Sequence, residues 1–578
     1  MPWRQRHPGR YEYELEELVA RGLEFVPDLA FARRSGLVGL RGSVVWRDEK
    51  VDMLVVLPQT FPYMRPEVYA PNLSRNRHQN PFGGRNLCLL DRSTAQWRPS
   101  DTVAWLITEQ LPYLLDLLEE GGDALTEAES PQGEPISAFF QWRPGTSVFV
   151  PTEALALDSP IQSGVAQLRL ESAEQTEDHF LLRAILDRIS HRDGKGRVHA
   201  LARADRTLAA HFTGSTIPAR WARLTKPPAG PDAEAILAAA SAVEASLGTP
   251  VWQSHLGFKI DVVGVVFQEE VTQGEHADAW LFAVRFEKPN AGPGSYVTHG
   301  QRLTEEDLLA RIPALAGLRG KTAAVAGLGA LGAPIVIELA KAQVGRLRVL
   351  DHDRVEVGTT VRWPIGLPAV GHDKVPFLSE HVGRNFPFTE VVPIPLRIGQ
   401  AEPPTGRPEM ELLDALLTGA DLLIDATAEI GIQHLLSNLA GTRGMKQLYV
   451  WGTEGGFGGV VARVSPGETG CWMCLQYRFE DGSIPLPPLE ATGTVQPRGC
   501  ATRTFTGTGF DMLPLVAQAV RVAVQTLLHD EPDGYPENGH DVFVVSIRTE
   551  AGSLPAPRWE SFQLDPHPSC SECKPTGG

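Results

Sequence analysis

The stretch Thr322-Ala323-Ala324-Val325-Ala326-Gly327-Leu328-Gly329-Ala330-Leu331-Gly332 decides the fold of the C-terminal part of this chain. Its apolar start predicts a short strand, its glycines predict a tight turn, and the residues to about Ala342 predict a helix. A second strand over Leu347–Leu350 ends at Asp351. This order is a βαβ unit whose glycine-rich turn lets the backbone approach phosphates at a helix N-terminus. The sequence therefore predicts a nucleotide site in a doubly wound α/β domain.

The residues after this turn bear on which nucleotide is bound. Asp351 lies 24 residues after Gly327, near the position of the ribose-binding acid of dinucleotide sites, so a nicotinamide-dependent oxidoreductase is the natural competitor. Two cations, Arg362 and Lys374, follow within about 25 residues of that acid and can neutralise a triphosphate and its leaving pyrophosphate. We therefore favour ATP over a dinucleotide.

These motifs resemble the adenylation domains of the ThiF/MoeB and ubiquitin-activating families. Those domains combine a glycine-rich loop with Asp-x-Asp-x-Val-Glu, a later arginine and Gly-x-x-Lys, and residues 351–356 and 371–374 fit the two charged patterns. The resemblance implies that the ATP contacts come from Gly327, Gly329, Gly332, Asp351, Asp353, Arg362, Lys374 and Asp425.

This chain departs from the family pattern at two places. The family's Asn-Leu-Asn-Arg-Gln is replaced by Thr359–Trp363, and its Asp-Cys-Thr-Asp-Asn is replaced by Asp425–Glu429. In the second segment Ala428 stands where the family has a usual Mg²⁺ contact. Either Asp425 or Glu429 binds Mg²⁺ instead, or metal use differs.

Four of the six cysteines form two Cys-x-x-Cys pairs that are nearly 100 residues apart. Each pair can place two thiolates on one turn, and together they supply the four ligands of a closed tetrahedral Zn²⁺ site. A redox dithiol is the competing interpretation for either pair alone, but two pairs favour a structural metal. The adenylating family often carries this arrangement, so we expect Zn²⁺ to be bound by Cys471, Cys474, Cys570 and Cys573.

A second constellation lies in the first quarter of the chain, where Asn80 stands eight residues before Cys88 with Gly83-Gly84 between them. A side-chain amide near an acylated thiol can donate to the oxyanion that forms when the acyl group is attacked. The competing interpretation is that Cys88 is a small packing residue, which is common for free cysteines.

This run resembles the active-site region of ubiquitin-conjugating enzymes. That family has His-Pro-Asn, a cysteine eight residues after the asparagine, a downstream Trp-x-Pro and an upstream proline-containing segment, and Trp97–Pro99 and Phe61–Pro66 fit the last two. Gln79 replaces the proline, which bears on the rigidity of the turn but not on the amide donor. The resemblance implies that Cys88 carries the acyl group, Asn80 stabilises the oxyanion and His78 shapes the loop.

Cys500 follows a proline-rich stretch, Ile484–Pro488, and is flanked by Arg498 and Arg503, which favour the thiolate. In activating enzymes that charge a thiol, the acceptor cysteine lies on such a loop after the first zinc pair. The resemblance therefore implies that Cys500 accepts the acyl group first. A packing cysteine is the competing interpretation, because MoeB-like proteins need no such thiol.

The composition limits the other function classes. The 578 residues predict about three or four domains, and with no run of 18 apolar residues we expect no spanning helix. The N-terminal residues 1–7 carry charge with no apolar core behind them, so we expect no signal peptide. A net charge of −17 without a sustained basic block makes a nucleic-acid partner unexpected. Six cysteines are too few for a disulfide scaffold, so we expect a reducing, cytoplasmic compartment.

The motifs predict a mixed α/β and α+β chain of three domains. Residues 1–148 form a ubiquitin-conjugating-like domain, residues 149–305 a linker or docking domain, and residues 306–578 the ThiF-like adenylation domain with its zinc site. The predicted helices are 11–21, 102–119, 180–189, 233–247 and 513–528, and the further predicted strands are 42–46, 51–57, 262–271 and 280–286.

This domain order is similar to the fused ubiquitin-transfer-like proteins of bacterial antiphage (CBASS) systems. The resemblance implies that ATP and Mg²⁺ are used to adenylate a protein C-terminal carboxylate, which passes to Cys500, then to Cys88, and finally to a target amine such as lysine. It implies a homodimer and a donor ending in Gly, either a cGAS-like nucleotidyltransferase or a ubiquitin-like protein. The competing functions are a ThiF/MoeB-type sulfur-carrier activator and a non-catalytic adaptor. The sequence leaves open the donor, the acceptor, the role of residues 149–305 and whether Cys500 is obligatory.

Overall fold

The computed structural model describes residues 2–89, 96–120, 133–155, 162–171, 180–192, 197–288, 292–400, 406–496, 503–531, 534–537, 539–549 and 551–573. The chain divides into two compact units, Met1–Thr304 and Glu305–Gly578. The first unit contains two sheets and the second unit contains the glycine-rich turn. No helix in these ranges has both the length and the apolar character needed to cross a bilayer.

The N-terminal part of the first unit is a five-stranded antiparallel sheet whose strands follow chain order. The predicted strands over 42–46 and 51–57 are confirmed, and they form a hairpin whose turn consists of Arg47 and Asp48. Both turn residues are at positive φ, which matches the twist of the flanking strands. The core beneath the sheet includes the buried Leu40, Phe61 and Leu115. The strands are β1 (Phe25–Pro27), β2 (Val38–Trp46), β3 (Glu49–Leu57), β4 (Glu67–Tyr69) and β5 (Asn86–Leu87), and the helices are α1 (Pro2–Arg6), α2 (Arg10–Ala20), α3 (Leu29–Ser35), α4 (Val103–Trp105) and α5 (Leu111–Glu120), with a π-helical turn at Leu106–Gln110.

The rest of the first unit is a nine-stranded sheet that closes on itself, because the strand over Thr216–Arg223 pairs with a neighbour on each side. We call it the closed sheet, and Trp221, Trp280 and Phe282 are buried in it. Its strands are β6 (Ser147–Pro151), β7 (Ser163–Leu170), β8 (Arg183–Arg192), β9 (Val198–Arg203), β10 (Thr216–Arg223), β11 (Gln253–His255), β12 (Phe258–Thr272), β13 (Glu275–Lys288) and β14 (Gly292–Leu303), and its helices are α6 (Arg206–Ala209) and α7 (Ala233–Val243).

The predicted helix over 180–189 is wrong, because most of that stretch is β8. Strand β8 lies between β6 and β7, and its consecutive residues Ala184, Ile185 and Leu186 are all buried. A strand buried on both faces is a continuous apolar run, which periodicity alone does not distinguish from a helix. The predicted helix beginning at Ala233 and the two predicted strands are confirmed within α7, β12 and β13.

The second unit is a doubly wound α/β domain built on an eight-stranded sheet. Its first five strands in sheet order are parallel, and helices cover both faces. The predicted strand Thr322–Ala326 and the helices after it and near 513–528 are confirmed. The strands are β15 (Thr322–Ala326), β16 (Arg346–Asp351), β17 (Glu390–Pro395), β18 (Leu422–Asp425), β19 (Lys446–Gly452), β20 (Gly458–Val464), β23 (Val542–Thr549) and β24 (Gly552–Phe562), with a separate ribbon of β21 (Thr494–Val495) and β22 (Thr504–Phe505). The helices are α8 (Glu305–Leu309), α9 (Gly332–Lys341), α10 (Lys374–Asn385), α11 (Glu409–Leu417), α12 (Ile430–Gly441), α13 (Trp472–Glu480) and α14 (Gly509–Leu527).

The strand order β17-β16-β15-β18-β19 reverses its direction between β15 and β18. At this point Ala326 pairs with Asp425, so the carboxyl ends of the two strands lie side by side. Ligands of doubly wound sheets bind in the crevice at such a switch point. The fold therefore places the glycine turn and Asp425 where a nucleotide is expected.

Candidate functional site

The glycine turn after β15 is so tight that two of its glycines are required. A Cβ on Gly332 would lie 1.8 Å from the carbonyl oxygen of Gly327. Gly327 itself has a φ of +83°, and its Cβ would lie 2.8 Å from backbone atoms of Ala426. Among the described residues, nothing lies within 4 Å of a Cβ on Gly329. Gly327 and Gly332 therefore shape the turn, and Gly329 borders open space through which a ligand can approach the backbone.

Asp351, at the end of β16, uses one carboxylate oxygen to hold this turn and the other to hold the residues that follow its own strand. Its Oδ2 accepts the N–H of Leu328 at 2.6 Å. Its Oδ1 accepts the N–H groups of His352 and Asp353 at 2.6 and 2.8 Å. This buried carboxylate occupies the strand end at which ribose-binding acids lie in nucleotide-binding folds.

Lys374, the first residue of α10, brings a buried ammonium group to the same strand end. Its Nζ lies 2.8 Å from Oδ2 of Asp353 and 3.8 Å from Oδ2 of Asp351. Burial raises the pKa of Asp353, but the hydrogen bond and charge of Lys374 outweigh burial and hold that pKa below its ordinary value. The turn, Asp351 and Lys374 thus lie together, with the ammonium group close to the carboxylate that accepts the N–H of Leu328.

Asp425 is a fully buried carboxyl at the end of β18. The N–H and hydroxyl of Thr427 donate to its Oδ1 at 3.0 and 2.7 Å, whereas its Oδ2 has no hydrogen-bond partner within the described ranges. Burial raises the pKa of Asp425 to about 6. A buried oxygen without a partner is costly, and a bound cation would compensate it. Ala428, which replaces the family's acid, adopts a φ of +56°, a conformation that L side chains rarely adopt.

Arg362, which the resemblance assigns to ATP, contacts β22 in this structure. Its guanidinium donates to the carbonyl oxygen of Phe505 at 2.6 Å and to the hydroxyl of Thr504, and its Cζ lies 4.2 Å from the centre of the Phe505 ring. Burial lowers the pKa of Arg362. The adjacent Trp363 donates its indole N–H to the carbonyl of Leu328 at 2.8 Å. The tryptophan that replaces the family's glutamine therefore donates an N–H to the glycine turn.

Cys500 and Arg498 lie outside the described residues, and the predicted role of Cys500 stays a prediction. The strands on either side of residues 497–502 are described, and β21 pairs Thr494 with Phe505. Arg362 therefore holds the strand that leads out of the Cys500 segment. The sequence offers no signal for this contact, because Arg362 and Phe505 are 143 residues apart.

The four cysteines of the two pairs lie together beside α13. The Sγ of Cys471 is 3.8 Å from that of Cys474 and 3.6 Å from that of Cys570, and Cys474 is 3.5 Å from Cys573. All four sulfurs lie within 4.8 Å of one another. A tetrahedral site with Zn–S bonds of about 2.3 Å places its sulfurs about 3.8 Å apart, whereas a disulfide needs about 2.05 Å. The separations therefore fit four thiolates around one metal ion.

In the first unit, Asn80 and Cys88 lie on one narrow loop. The N–H of Cys88 donates to the carbonyl of His78 at 2.7 Å, and the N–H of Asn80 donates to the carbonyl of Asn86 at 2.8 Å. The side-chain oxygen of Asn80 accepts the N–H of Phe82 at 2.9 Å, which leaves its NH₂ as the donating end. Cys88 is half-buried. The loop thus presents a partly accessible thiol and an oriented amide.

Gln79 holds this loop where the conjugating family has proline. Its Nε2 donates to the carbonyls of Leu73 at 3.1 Å and Ala70 at 3.2 Å, and its Oε1 accepts the N–H of Arg75 at 2.8 Å. The side chain is buried. Hydrogen bonds from a buried amide therefore supply the rigidity that a proline ring would otherwise give.

Comparison with known proteins agrees with the fold of the second unit. Residues 308–570 match the ThiF family. The uncharacterized protein y4oA of Sinorhizobium fredii (strain NBRC 101917 / NGR234) is 31% identical over 98% of this chain and 97% of its own length. The ATP-dependent ubiquitin transferase-like protein Cap2 of Enterobacter hormaechei subsp. hoffmannii (strain UCI 50) is 28% identical over 24% of this chain and 22% of Cap2. The crystal structure of E. coli MccB with ATP shares 15% identity, with a TM-score of 0.34 over 46% of this chain and 69% of MccB.

The second unit is therefore an adenylation domain of the ThiF/MoeB type. Over its whole length, the chain belongs to the same family as y4oA.

Proposed function

We propose that this chain is an ATP-dependent conjugating enzyme. In this proposal, residues 306–578 adenylate a protein C-terminal carboxylate, residues 1–148 transfer it to an amine, and residues 149–305 support the transfer. The observation that carries the first step is the buried Oδ2 of Asp425, which has no hydrogen-bond partner in the described part of the chain and lies at the switch point beside the glycine turn. That atom and the phosphate-binding turn together fit a metal-bound nucleotide, and the ThiF match covers both.

In the adenylation step, a carboxylate oxygen of the donor protein attacks the α-phosphorus of ATP, a new P–O bond forms and pyrophosphate leaves. Backbone N–H groups at the start of α9 and the ammonium of Lys374 bind the phosphates, while Asp351 holds the turn and faces the ribose. Gly329 leaves room for the nucleotide. Arg362 leaves its contact with Phe505 and binds a phosphate, where its positive charge stabilises the nucleotide.

Mg²⁺ supplies charge neutralisation to the phosphates when it is bound, as in other phosphoryl-type chemistry. Asp425 and Glu429 are the residues that we assign to it. Asp425 fits because its carboxylate has one oxygen already oriented by Thr427 and one that lacks a hydrogen-bond partner in the described structure. We assign Zn²⁺ to Cys471, Cys474, Cys570 and Cys573, where it would tie the end of the chain to α13.

The acyl group then moves through two thiols. The thiolate of Cys500 attacks the carbonyl carbon of the adenylate and AMP leaves. The thiolate of Cys88 attacks the same carbon and Cys500 leaves as a thiolate, favoured by the high effective concentration of two thiols on one chain. A target amine finally attacks, gives up a proton to solvent, and displaces the Cys88 thiolate. The NH₂ of Asn80 donates to the oxyanion, an interaction worth ~2.7–4 kcal/mol where it has been removed from other enzymes.

The donor that we propose is a protein that ends in glycine, either a ubiquitin-like protein or a cGAS-like nucleotidyltransferase, and the acceptor is a lysine amine. The similarity to part of Cap2, whose name describes an ATP-dependent ubiquitin transferase-like protein, supports this class of reaction. We further propose that the enzyme is a cytoplasmic homodimer without a nucleic-acid or membrane partner.

The experiment that tests the adenylation step is ATP–pyrophosphate exchange on the full-length chain, with a peptide ending in Gly-Gly as the probe. We expect exchange in wild type, its loss in Asp425→Asn, and its retention in Asp414→Asn, which removes an exposed carboxylate on α11. Absence of exchange in wild type would contradict the proposal and favour the adaptor. Exchange without any acylated thiol at Cys88 would favour a sulfur-carrier activator.

A further inference from the structure

Two adjacent glutamates at the end of β12 hold the segment that leads into the closed sheet. Glu269 accepts the N–H and the hydroxyl of Ser137 at 2.8 and 2.9 Å, and Glu270 accepts the N–H of Glu134 at 2.9 Å. Glu269 is buried. Residues 134–137 are therefore fixed to β12 by two carboxylates.

Of these two carboxylates, Glu270 also contacts Arg77, which lies in the loop of Cys88. The Nη1 of Arg77 lies 2.7 Å from Oε1 and 2.6 Å from Oε2 of Glu270, and the two side chains are 13% and 16% exposed. The N–H of Gly274 donates to the same carboxylate at 2.9 Å. Burial raises the pKa of Glu270, but these N–H donors and the charge of Arg77 outweigh burial and hold that pKa below its ordinary value. The pair is thus a mostly buried, charged contact with every Glu270 oxygen engaged.

Arg77 directly precedes His78, the residue whose carbonyl accepts the N–H of Cys88. His78 has a φ of +56°, a conformation that persists in a non-glycine residue only when its surroundings impose it. A second contact from the same region lies close by, since Oε1 of Glu134 is 3.8 Å from Nδ1 of His78. Glu270 therefore holds Arg77, and Glu134 lies beside His78, the residue whose carbonyl accepts the N–H of Cys88.

We propose that Glu270 is a positioning residue for Cys88, which it reaches through Arg77, and that the closed sheet is part of the thiol site. Arg77 and Glu270 are 193 residues apart in sequence, so the contact depends on how the closed sheet packs on the loop. Removing one partner of a mostly buried ion pair leaves the other uncompensated, and the loop loses its restraint. The consequence for acyl transfer rests on the proposed function, whereas the consequence for the geometry of the loop does not.

The test compares Glu270→Gln and Arg77→Ala with Glu269→Gln in the full-length chain. Glu269→Gln is the matched control, because Glu269 neighbours Glu270 and anchors the same segment without contacting Arg77. The first readout is the pH profile of alkylation of Cys88 by iodoacetamide, followed by peptide mass spectrometry, which requires neither ATP nor a donor. We expect iodoacetamide to alkylate the Cys88 thiol at least about threefold faster in Glu270→Gln and Arg77→Ala than in wild type. The loop has then lost its restraint, and reactivity is sensitive to displacements of ~1 Å. Glu269→Gln should follow the wild-type profile.

The second readout is the rate of acyl discharge from Cys88 to a lysine peptide. We expect a loss of roughly tenfold to a hundredfold in Glu270→Gln and Arg77→Ala, and a loss in the double variant smaller than the product of the two single losses, since both changes break the same ion pair. Unchanged alkylation in the two variants, or an equal change in Glu269→Gln, would overturn the proposal. If wild type forms no acylated Cys88 while alkylation responds as expected, the proposed function fails and the positioning role stands. If wild type forms acylated Cys88 but alkylation does not respond to the two substitutions, the positioning role alone is wrong.

Discussion

The guanidinium of Arg362 lies 4.2 Å from the centre of the Phe505 ring and donates to that residue's carbonyl oxygen at 2.6 Å. Arg362 belongs to the predicted ATP site, and Phe505 belongs to the strand that follows the Cys500 segment. In the proposed adenylation step, phosphate and Phe505 compete for this one guanidinium. The proposed ATP site and the strand that follows the Cys500 segment therefore meet at Arg362.

We predict that Phe505→Ala tightens ATP binding by about two- to fivefold, because a cation–π contact of ~0.5–1 kcal/mol no longer competes with phosphate for Arg362. Titration calorimetry with ATP and Mg²⁺ on the full-length chain measures this affinity. Phe510→Ala is the control, since Phe510 is an exposed phenylalanine near the start of α14. Weaker binding in Phe505→Ala would show that the ring positions Arg362 for ATP rather than competing with it.

Gly332→Ala and Gly329→Ala should differ sharply although they change the same turn. The new methyl group of Gly332→Ala would meet the carbonyl of Gly327, whereas that of Gly329→Ala would enter space left open by the described residues. We expect Gly332→Ala to lose at least ~1–3 kcal/mol of unfolding free energy and Gly329→Ala to unfold like wild type. Urea denaturation measures the first difference, and ATP titration of Gly329→Ala then tests whether that open space receives the nucleotide. Equal stability of the two variants would contradict the geometry of the turn.

The stability of the second unit should depend on pH through Asp425. Burial raises its pKa from 3.8 to about 6. The contribution of Asp425 to the unfolding free energy of the second unit should therefore be highest below pH 3.8 and should fall as the pH rises through about 6, because Asp425 then ionises in the folded state. Asp425→Asn cannot ionise, and we expect its free energy of unfolding at pH 8 to be up to about 3 kcal/mol higher than that of wild type. The difference should narrow as the pH falls to 5, in urea denaturation without metal or nucleotide. A difference that does not change with pH would contradict the assignment.

Metal removal should unfold the region around α13. We expect wild type to contain one Zn²⁺ per chain by atomic absorption, and we expect Cys474→Ser to lose it and to melt at a lower temperature, because a structural zinc contributes directly to folding. Cys88→Ser changes a thiol outside the cluster and should keep both the metal and the melting temperature. A wild-type protein free of zinc, with the four thiols reduced, would contradict the assignment.

The nucleotide turn could be predicted from sequence because its signals are local. Thr322–Ala326 is a short apolar run, and the glycines follow it directly. The structure shows why Gly327 and Gly332 are needed, and it also shows that Trp363 donates its indole N–H to the turn at Leu328.

The remaining features depend on contacts between distant residues. The closed sheet forms through pairings such as that of β10 with β12, which no local period encodes. β8 gave a helical pattern because both of its faces are buried. The contact of Arg77 with Glu270 likewise joins the loop of Cys88 to the closed sheet, and neither residue lies in a motif.

Intact-protein mass spectrometry of the full-length chain, purified from its own host and incubated with ATP, tests the central claim most directly. We predict a thiol-sensitive adduct on wild type, its absence in Cys88→Ala and its reduction in Cys500→Ala. The mass of the adduct would identify the donor. Absence of any thiol-sensitive adduct on wild type, with ATP present and lysine acceptors withheld, would contradict the conjugation account.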